Sequence, residues 1–330
     1  MDAGPHAEVA IIGAGPVGLA CAIECQRLGI SAKVFDKGAL VNSLLGYPTN
    51  MEFFSTPDLL EIGGHPFPTL RYKPVREEAI DYYSRVAFAE GVDLALYEEV
   101  RDVHGRVGDF TVETSRNRYH VGFIVVVTGF FDKPKLLEVP GEDLPKVSHF
   151  YKEPFAYSAQ DVLIVGAKNS AARAALDCYR HGANVTLAVR GPGISPSVKY
   201  WIKPDLENRI SEGSITAYFD TEVVRIDSDT VTLRESGTEI VIKNDWVLAM
   251  TGYVPDYRLL DQLQIGSRED ESLTPMYDSD SFETDRPGIY IAGTVCGGLN
   301  TSRWFIENGR DHARHIARHI DERRRAVTSE

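Results

Sequence analysis

Two short stretches of this chain carry residue types whose spacing can do chemistry. The first is GAGPVG, in which Gly13, Gly15 and Gly18 form a full G-x-G-x-x-G between the apolar run VAII and a helical segment opening at Pro16. In such a turn the first glycine allows the tight bend, the second lets backbone approach a pyrophosphate, and the third lets helix and strand pack closely. The helix start then offers its free N–H groups to the phosphates. Asp36 follows at the end of the next strand, AKVFD, where a carboxylate can accept hydrogen bonds from an adenosine ribose.

The second stretch is DVLIVGAKNSAARAAL. It lies over the first without gaps at an offset of 153 residues, with Gly13 over Gly166 and Gly29 over Gly182. This internal repeat is the main organisational signal in the sequence. Lys168 and Ala171 occupy the second and third glycine positions. Ala171 still permits close packing, the Lys168 ammonium can reach phosphate, and Asn169 and Ser170 add hydrogen-bonding groups at the helix start. Where the first copy has Asp36-Lys37, the second has Val189-Arg190. A carboxylate repels a 2′-phosphate whereas a guanidinium pairs with it bidentately, so this cradle is expected to prefer NADPH, with Lys199 as a second phosphate partner. A tightly held FAD in the first cradle could accept hydride from NADPH in the second, C4 of the nicotinamide to N5 of the flavin.

The elements around these turns are those of an α/β protein. Residues 40 to 75 are irregular and rich in Pro, Gly and aromatics, and KPVREEAIDYYSRVAFAEGV reads as a helix closed by Gly91. A β-rich segment follows each copy of the repeat and ends in Thr-Gly, at Thr128-Gly129 and Thr251-Gly252. The tail gives a short strand, GIYIAG, then a loop and a terminal helix. The expected fold is therefore two Rossmann-like, three-layer ββα dinucleotide-binding domains.

Bulk properties narrow the function classes. The 330 residues are 43% hydrophobic and 25% charged, with 35 basic against 48 acidic side chains and a formal charge of −13. That balance disfavours nucleic acid or an anionic membrane as partner. No apolar run is long enough for a membrane span and MDAGPHAE is not a signal peptide, so a cytoplasmic setting is expected. Cys21, Cys25, Cys178 and Cys296 form no C-x-x-C pair. The first three read as buried small hydrophobes, and Cys296, in the loop after GIYIAG, is the one candidate for a redox role. His149 reads as a packing or hydrogen-bonding residue. His312, His315 and His319, interleaved with arginines, read as a solvated helix face and not a metal site.

With these residues in view, the whole chain resembles the thioredoxin-reductase-like flavoproteins, in which an NADPH domain is inserted into an FAD domain. That resemblance implies an FAD-binding domain from residues 1–134 and 254–330, an NADPH-binding domain from 135–253, rotation between them, and a homodimer. The stretches NSLLGYPTNMEFFSTPDLLEIGGHPF, SHFYKEPFAYSAQDVLIVGAKNSA, VKYWIKPDLENRI, TGYVPD and GGLNTSRWFIENGR are most similar to the bacillithiol-disulfide reductase (YpdA-type) family. By that likeness Gly13, Gly15, Pro16, Val17, Gly18, Asp36, Lys37, Asn42, Ser43, Tyr47, Ser55, Thr56, Val100, Thr128, Gly129, Gly293, Thr294, Thr301 and Arg303 lie along FAD. Gly166, Lys168, Asn169, Ser170, Arg190, Lys199 and Gly252 form the NADPH site. The sequence departs from the resemblance in three places. Thr294 stands where these flavoproteins have an aspartate, SHFYKEPFAY replaces the thioredoxin-reductase C-x-x-C, and Val17 stands where the bacillithiol-disulfide reductases carry a cysteine. The electron acceptor is therefore expected to be a low-molecular-weight disulfide, or else a ferredoxin or flavodoxin, with a non-catalytic flavin redox sensor as the remaining alternative.

Overall fold

The structure, a computed structural model, describes residues 7–328. The chain forms two compact units: one comprises the chain up to Gly46, Asn50–Lys133 and the part from Tyr253 onward, and the other Tyr47–Thr49 and Pro134–Gly252. The chain passes between the two units at Lys133/Pro134 and at Gly252/Tyr253, and Tyr47, expected along FAD, groups with the second unit.

The first unit is built on a five-stranded sheet in the order Ile289–Ile291, Phe123–Val126, Val9–Ile12, Ala32–Phe35, Asp93–Ala95. Every pairing is parallel. VAII and FIVV are buried along their whole length, as strands covered on both faces must be. Asp161–Val165 is the central strand of the second unit's sheet, flanked by Asn184–Ala188 and then Thr216–Tyr218 on one side, and by Trp246–Ala249 and then Val147–Ser148 on the other. Each unit adds a three-stranded antiparallel sheet, from Val100–Arg106, Asp109–Thr114 and Arg118–Val121 in the first and Thr221–Ile226, Thr230–Glu235 and Thr238–Lys243 in the second.

The repeat holds down to single hydrogen bonds. Gly13 N–H donates to Phe35 O at 2.7 Å, and Gly166 N–H donates to Ala188 O at 3.1 Å. At the ends of the two helices, Pro16–Arg27 and Asn169–Arg180, Ile30 N–H reaches Cys25 O and Ala183 N–H reaches Cys178 O, both at 3.0 Å. Two short helices, Asn42–Gly46 and Pro57–Leu60, interrupt the stretch that the sequence left irregular. The helix expected after it spans Arg76–Ala89.

The C-terminal helix, His312–Thr328, returns to the first unit and ties down its N-terminal part. Arg324 donates to Leu28 O at 2.7 Å and Gly29 O at 3.2 Å, the carbonyls of the cap and the residue beyond it at the end of the first helix, while pairing with Glu8 at 3.1 Å. A cation at a helix C-terminus satisfies orphan carbonyls and complements the dipole. On the same helix Ala313, Ile316, Ala317 and Ile320 are buried, and His312 joins that stripe at 2% exposure. The solvated face read from the sequence is therefore wrong for His312.

The tightest point of the first unit is the glycine turn. A Cβ on Gly18 would stand 1.9 Å from Gly13 O, and one on Gly13 would stand 2.3 Å from Val127 O. Both obstacles are backbone atoms, so neither can swing aside. Gly18→Ala is expected to cost about 2 kcal/mol, lowering the midpoint of thermal unfolding by roughly 4–8 °C. An unchanged midpoint would show that the helix can ride outward at no cost.

Candidate functional site

At the carboxyl ends of the first sheet, where α/β sheets bind their ligands, the first unit opens a cleft of about 260 Å³. Gly13, Asp36, Lys37, Val100, Thr128 and Gly129 all line it, so the structure brings together residues that the sequence pointed to separately. Ala14 N–H donates to Asp36 Oδ2 at 2.9 Å and Gly38 N–H to Oδ1 at 2.8 Å. Burial, with Asp132 nearby, raises the Asp36 pKa, while the two N–H bonds oppose the rise. An ionised carboxylate has about four acceptor positions, so two remain for ribose hydroxyls. Lys37 pairs with Asp132 at 2.8 Å.

The turn also fits a dinucleotide at the one place where the backbone must be bare. A Cβ built on Gly15 meets nothing within 4 Å, so the turn is uncovered where pyrophosphate would approach. Pro16 opens the helix, where its missing N–H is no loss. Thr128 Oγ1 is buried with no hydrogen-bond partner among the described residues, an acceptor or donor available to a ligand.

Other residues of the expected flavin set lie outside this cleft. Ser55 Oγ–H donates to Glu307 Oε2, and Arg310 donates to Asp58 O at 2.8 Å and Glu61 O at 2.6 Å. Ser55 and Thr56 are thereby held beside the returning segment rather than beside Asp36. Asn42 and Ser43 open a short helix, and Asn42 Oδ1 accepts from Ala39 N–H at 3.4 Å. Gly293 and Thr294 form a tight turn after the strand Ile289–Ile291, with Thr294 Oγ1 facing Gly129. Arg303 lies over the Trp304 ring at 5.2 Å, and Thr301 is in the loop just before it. Val17 is buried, with its methyl groups against Gly293 and Gly309.

Several cleft residues carried no sequence signal. Asp256 is gripped by Arg258 at 2.7 Å and Lys133 at 2.9 Å, which hold its carboxyl well below the usual carboxylate range. Glu98 is buried under the hydroxyls of Thr114 (2.6 Å) and Tyr119 (3.0 Å). Glu98, the adjacent pair Asp132-Lys133, and Asp256, which caps the helix Tyr257–Gln262, come from three places far apart in sequence, and only the fold collects them.

In the second unit Gly166 makes the matching turn, and a Cβ there would meet Met250 O at 2.6 Å and Ala171 Cβ at 3.2 Å. Lys168 precedes the helix as an exposed residue, and Ser170 is exposed in its first turn. The Asn169 amide does not stand free for phosphate, because it donates to Ser197 O at 3.1 Å and accepts from Lys199 N–H at 3.0 Å. Arg190 is exposed immediately beyond the strand Asn184–Ala188. Gly252 O accepts from Lys135 N–H at 2.9 Å, joining the two crossover segments.

All four cysteines are free and buried. Burial pushes the Cys296 thiol well above its ordinary value. Its neighbour His312 lies 3.9 Å away through Nδ1, which also accepts from Gly293 N–H at 3.2 Å. His312 is sandwiched by Phe282 at 4.0 Å and Trp304 at 4.4 Å, and desolvation lowers its pKa to about 4. A buried thiol beside an imidazole whose pKa is also lowered lacks the thiolate needed for thiol–disulfide exchange, so Cys296 is not placed to attack a disulfide. His149 pairs with Glu142 at 3.4 Å, and no group of three or more potential metal ligands occurs among the described residues.

Two strand–turn–helix cradles, one marked by an acid and the other by an arginine, define a protein that handles two dinucleotides. The chain matches the pyridine nucleotide-disulphide oxidoreductase family over residues 10–293 and belongs to it. It is 41% identical over 315 residues to the bacilliredoxin reductase Bdr of Bacillus subtilis (strain 168), covering 95% of this chain and 97% of that one. The solved bacillithiol disulfide reductase Bdr (YpdA) from Bacillus cereus is 41% identical with a TM-score of 0.94, covering 97% of this chain and all of the other. A ferredoxin–NADP reductase of Ignicoccus hospitalis (strain KIN4/I / DSM 18386 / JCM 14125) is 23% identical over 296 residues, 86% of this chain and 88% of that one. The chain is an NAD(P)H-dependent flavoprotein oxidoreductase of the thioredoxin-reductase-like fold, with FAD and NAD(P)H as cofactors. No helix among the described residues is long and apolar enough to cross a membrane.

The His312 site makes a pH prediction. Its folded pKa, about 4, lies below the ordinary value of 6.5. The unfolded chain therefore binds more protons between these values, so this contribution to stability is complete above pH 6.5 and is lost as pH falls toward 4. The gap spans roughly 3 kcal/mol. Denaturant unfolding should show wild type losing stability relative to His312→Phe, by up to about 3 kcal/mol, between pH 7 and pH 4, and a constant difference would disprove the assignment.

Proposed function

We propose that the chain binds FAD through Gly13, Gly15, Gly18 and Asp36, and takes its electrons from NADPH held at Gly166, Lys168, Ser170, Arg190 and Lys199. It then reduces a low-molecular-weight disulfide of the bacillithiol disulfide class. The observation that carries the cofactor order is the exchange at one repeat position, Asp36-Lys37 in the first cradle against Val189-Arg190 in the second. Identity of 41% with bacilliredoxin reductase Bdr across 95% of the chain supports the acceptor class.

FAD in the first cradle supplies a two-electron carrier between nicotinamide and acceptor. The chain's own contribution is binding and orientation. The Pro16–Arg27 helix start and the bare backbone at Gly15 receive the pyrophosphate, Asp36 fixes the ribose, and Thr128 offers a buried hydroxyl. Hydride transfer between two rings needs no side chain as acid or base. Cys296 is buried and held protonated, and is not assigned a part in it.

A second acceptor class has a specific observation in its favour. With Val17 at the glycine motif and no C-x-x-C pair, the chain offers no dithiol, and a protein electron carrier requires none. Anaerobic reduction with NADPH, followed by reoxidation with bacillithiol disulfide or with ferredoxin or flavodoxin, decides between them. Sustained turnover with the disulfide supports the first reading. Turnover with the carrier alone replaces it, and flavin bleaching without turnover on any acceptor marks a redox sensor. Size-exclusion chromatography with light scattering tests the homodimer.

Arg190→Ala should raise KM for NADPH about 10- to 100-fold and leave KM for NADH nearly unchanged, since one charge-assisted pair to a 2′-phosphate is lost. Equal preference before and after the substitution would refute the NADPH assignment.

A further inference from the structure

We infer that Asn169 is a positioning residue that sets the preference for NADPH over NADH by fixing the segment 195–199 beside the second cradle. This rests on Arg190 and Lys199 as the residues that read the 2′-phosphate.

The segment between Arg190 and Lys199, GPGISPSV, contains two glycines and two prolines, and none of it is helix or strand. Free glycines would leave such a loop many conformations. Two apolar anchors, Ile194 at 9% and Val198 at 4% exposure, hold it from beneath. Gly191 O accepts from Asp220 N–H at 2.9 Å at the loop's start and Val198 N–H donates to Ser195 O at 3.1 Å within it, and its remaining backbone ties run to the turn that starts the phosphate cradle. Ser195 N–H donates to Ala167 O at 3.1 Å, just before Asn169. The Asn169 amide then makes a two-point contact, donating through Nδ2 to Ser197 O and accepting at Oδ1 from Lys199 N–H. A planar amide bonded on both edges to backbone acts as a short strand would, fixing direction as well as distance. Beyond it, Lys199 O accepts from Ile202 N–H at 2.8 Å and Lys203 N–H at 3.0 Å, launching the helix Lys203–Ser211. The Lys199 ammonium lies 6.0 Å from the Trp201 ring. The backbone of Lys199 is therefore fixed from one side by Asn169 and from the other by the next helix.

This geometry separates two roles for Asn169. A residue that bonds the pyrophosphate would serve NADPH and NADH alike, because that group is common to both. A residue that orients the 2′-phosphate reader serves NADPH alone. The Asn169 amide is directed at Ser197 and Lys199, which selects the second role.

The test uses the flavin-loaded full chain. NADP+ and NAD+ are titrated against wild type, Asn169→Ala, Asn169→Asp and Arg190→Ala by quenching of tryptophan fluorescence, alongside steady-state kinetics with NADPH and NADH. Asn169→Ala should raise Kd for NADP+ about tenfold and shift that for NAD+ less than about twofold, with kcat at saturating NADPH unchanged. Asn169→Asp keeps the acceptor for Lys199 N–H but loses the donor to Ser197 O, and should fall between. Trypsin should nick after Lys199 faster in Asn169→Ala than in wild type, while the far-UV circular dichroism is unchanged. Parallel weakening of NADP+ and NAD+, or no change in either, overturns the inference. If Arg190→Ala abolishes the preference and Asn169→Ala does not alter it, the NADPH reading stands and Asn169 is not its positioner. If Arg190→Ala leaves the preference intact, the reading beneath the inference fails.

Discussion

The structure of the first unit depends on one steric constraint, the approach of the Gly18 Cα to the Gly13 carbonyl, with no room for a Cβ between them. That contact lets the Pro16–Arg27 helix lie close on the Val9–Ile12 strand with its N-terminus aimed at the turn. From it follow the bare backbone at Gly15, the burial of Val17 against Gly293 and Gly309, and the reach of Ala14 N–H to Asp36. The second turn keeps the steric limit at its first glycine, where a Cβ on Gly166 would stand 2.6 Å from Met250 O, but relaxes it at the third position, where Ala171 carries a methyl. The same strand–turn–helix, built twice, makes two cradles, and the residues placed on their rims distinguish them.

The fold was legible in the sequence because its signals are local and duplicated. Fully buried parallel strands leave continuous apolar runs, glycine turns leave fixed spacings, and a gapless repeat doubles both signals. Asp36, Thr128 and Gly129 were legible for the same reason, since each ends a strand and the ends of parallel strands meet at one edge. Glu98, Asp132, Lys133 and Asp256 were not. Each is an ordinary charged residue in a loop or at the end of a short element, and what makes them neighbours is the closing of segments that carry no pattern of their own.

His312 shows a different failure. The arginines around it, Arg310, Arg314 and Arg318, gave the segment a polar average, yet His312 shares its spacing with Ile316 and Ile320. Weighting position over composition would have placed it inside. The hydrogen bonds of Asn169 were not legible either. A polar residue at a helix start has the chemistry of a phosphate ligand, but its partners lie about thirty residues downstream in a loop that the sequence does not fold by itself.

The first unit's sheet needs a strand from the far end of the chain: Ile289–Ile291 pairs beside Phe123–Val126, whereas the second unit's strands are complete by Ala249. During synthesis the inserted unit can therefore close its sheet on the ribosome while the unit that contains it still waits for an edge. Until Ile291 has cleared the exit tunnel, FIVV presents an open row of backbone donors and acceptors, one that any stray strand can fill.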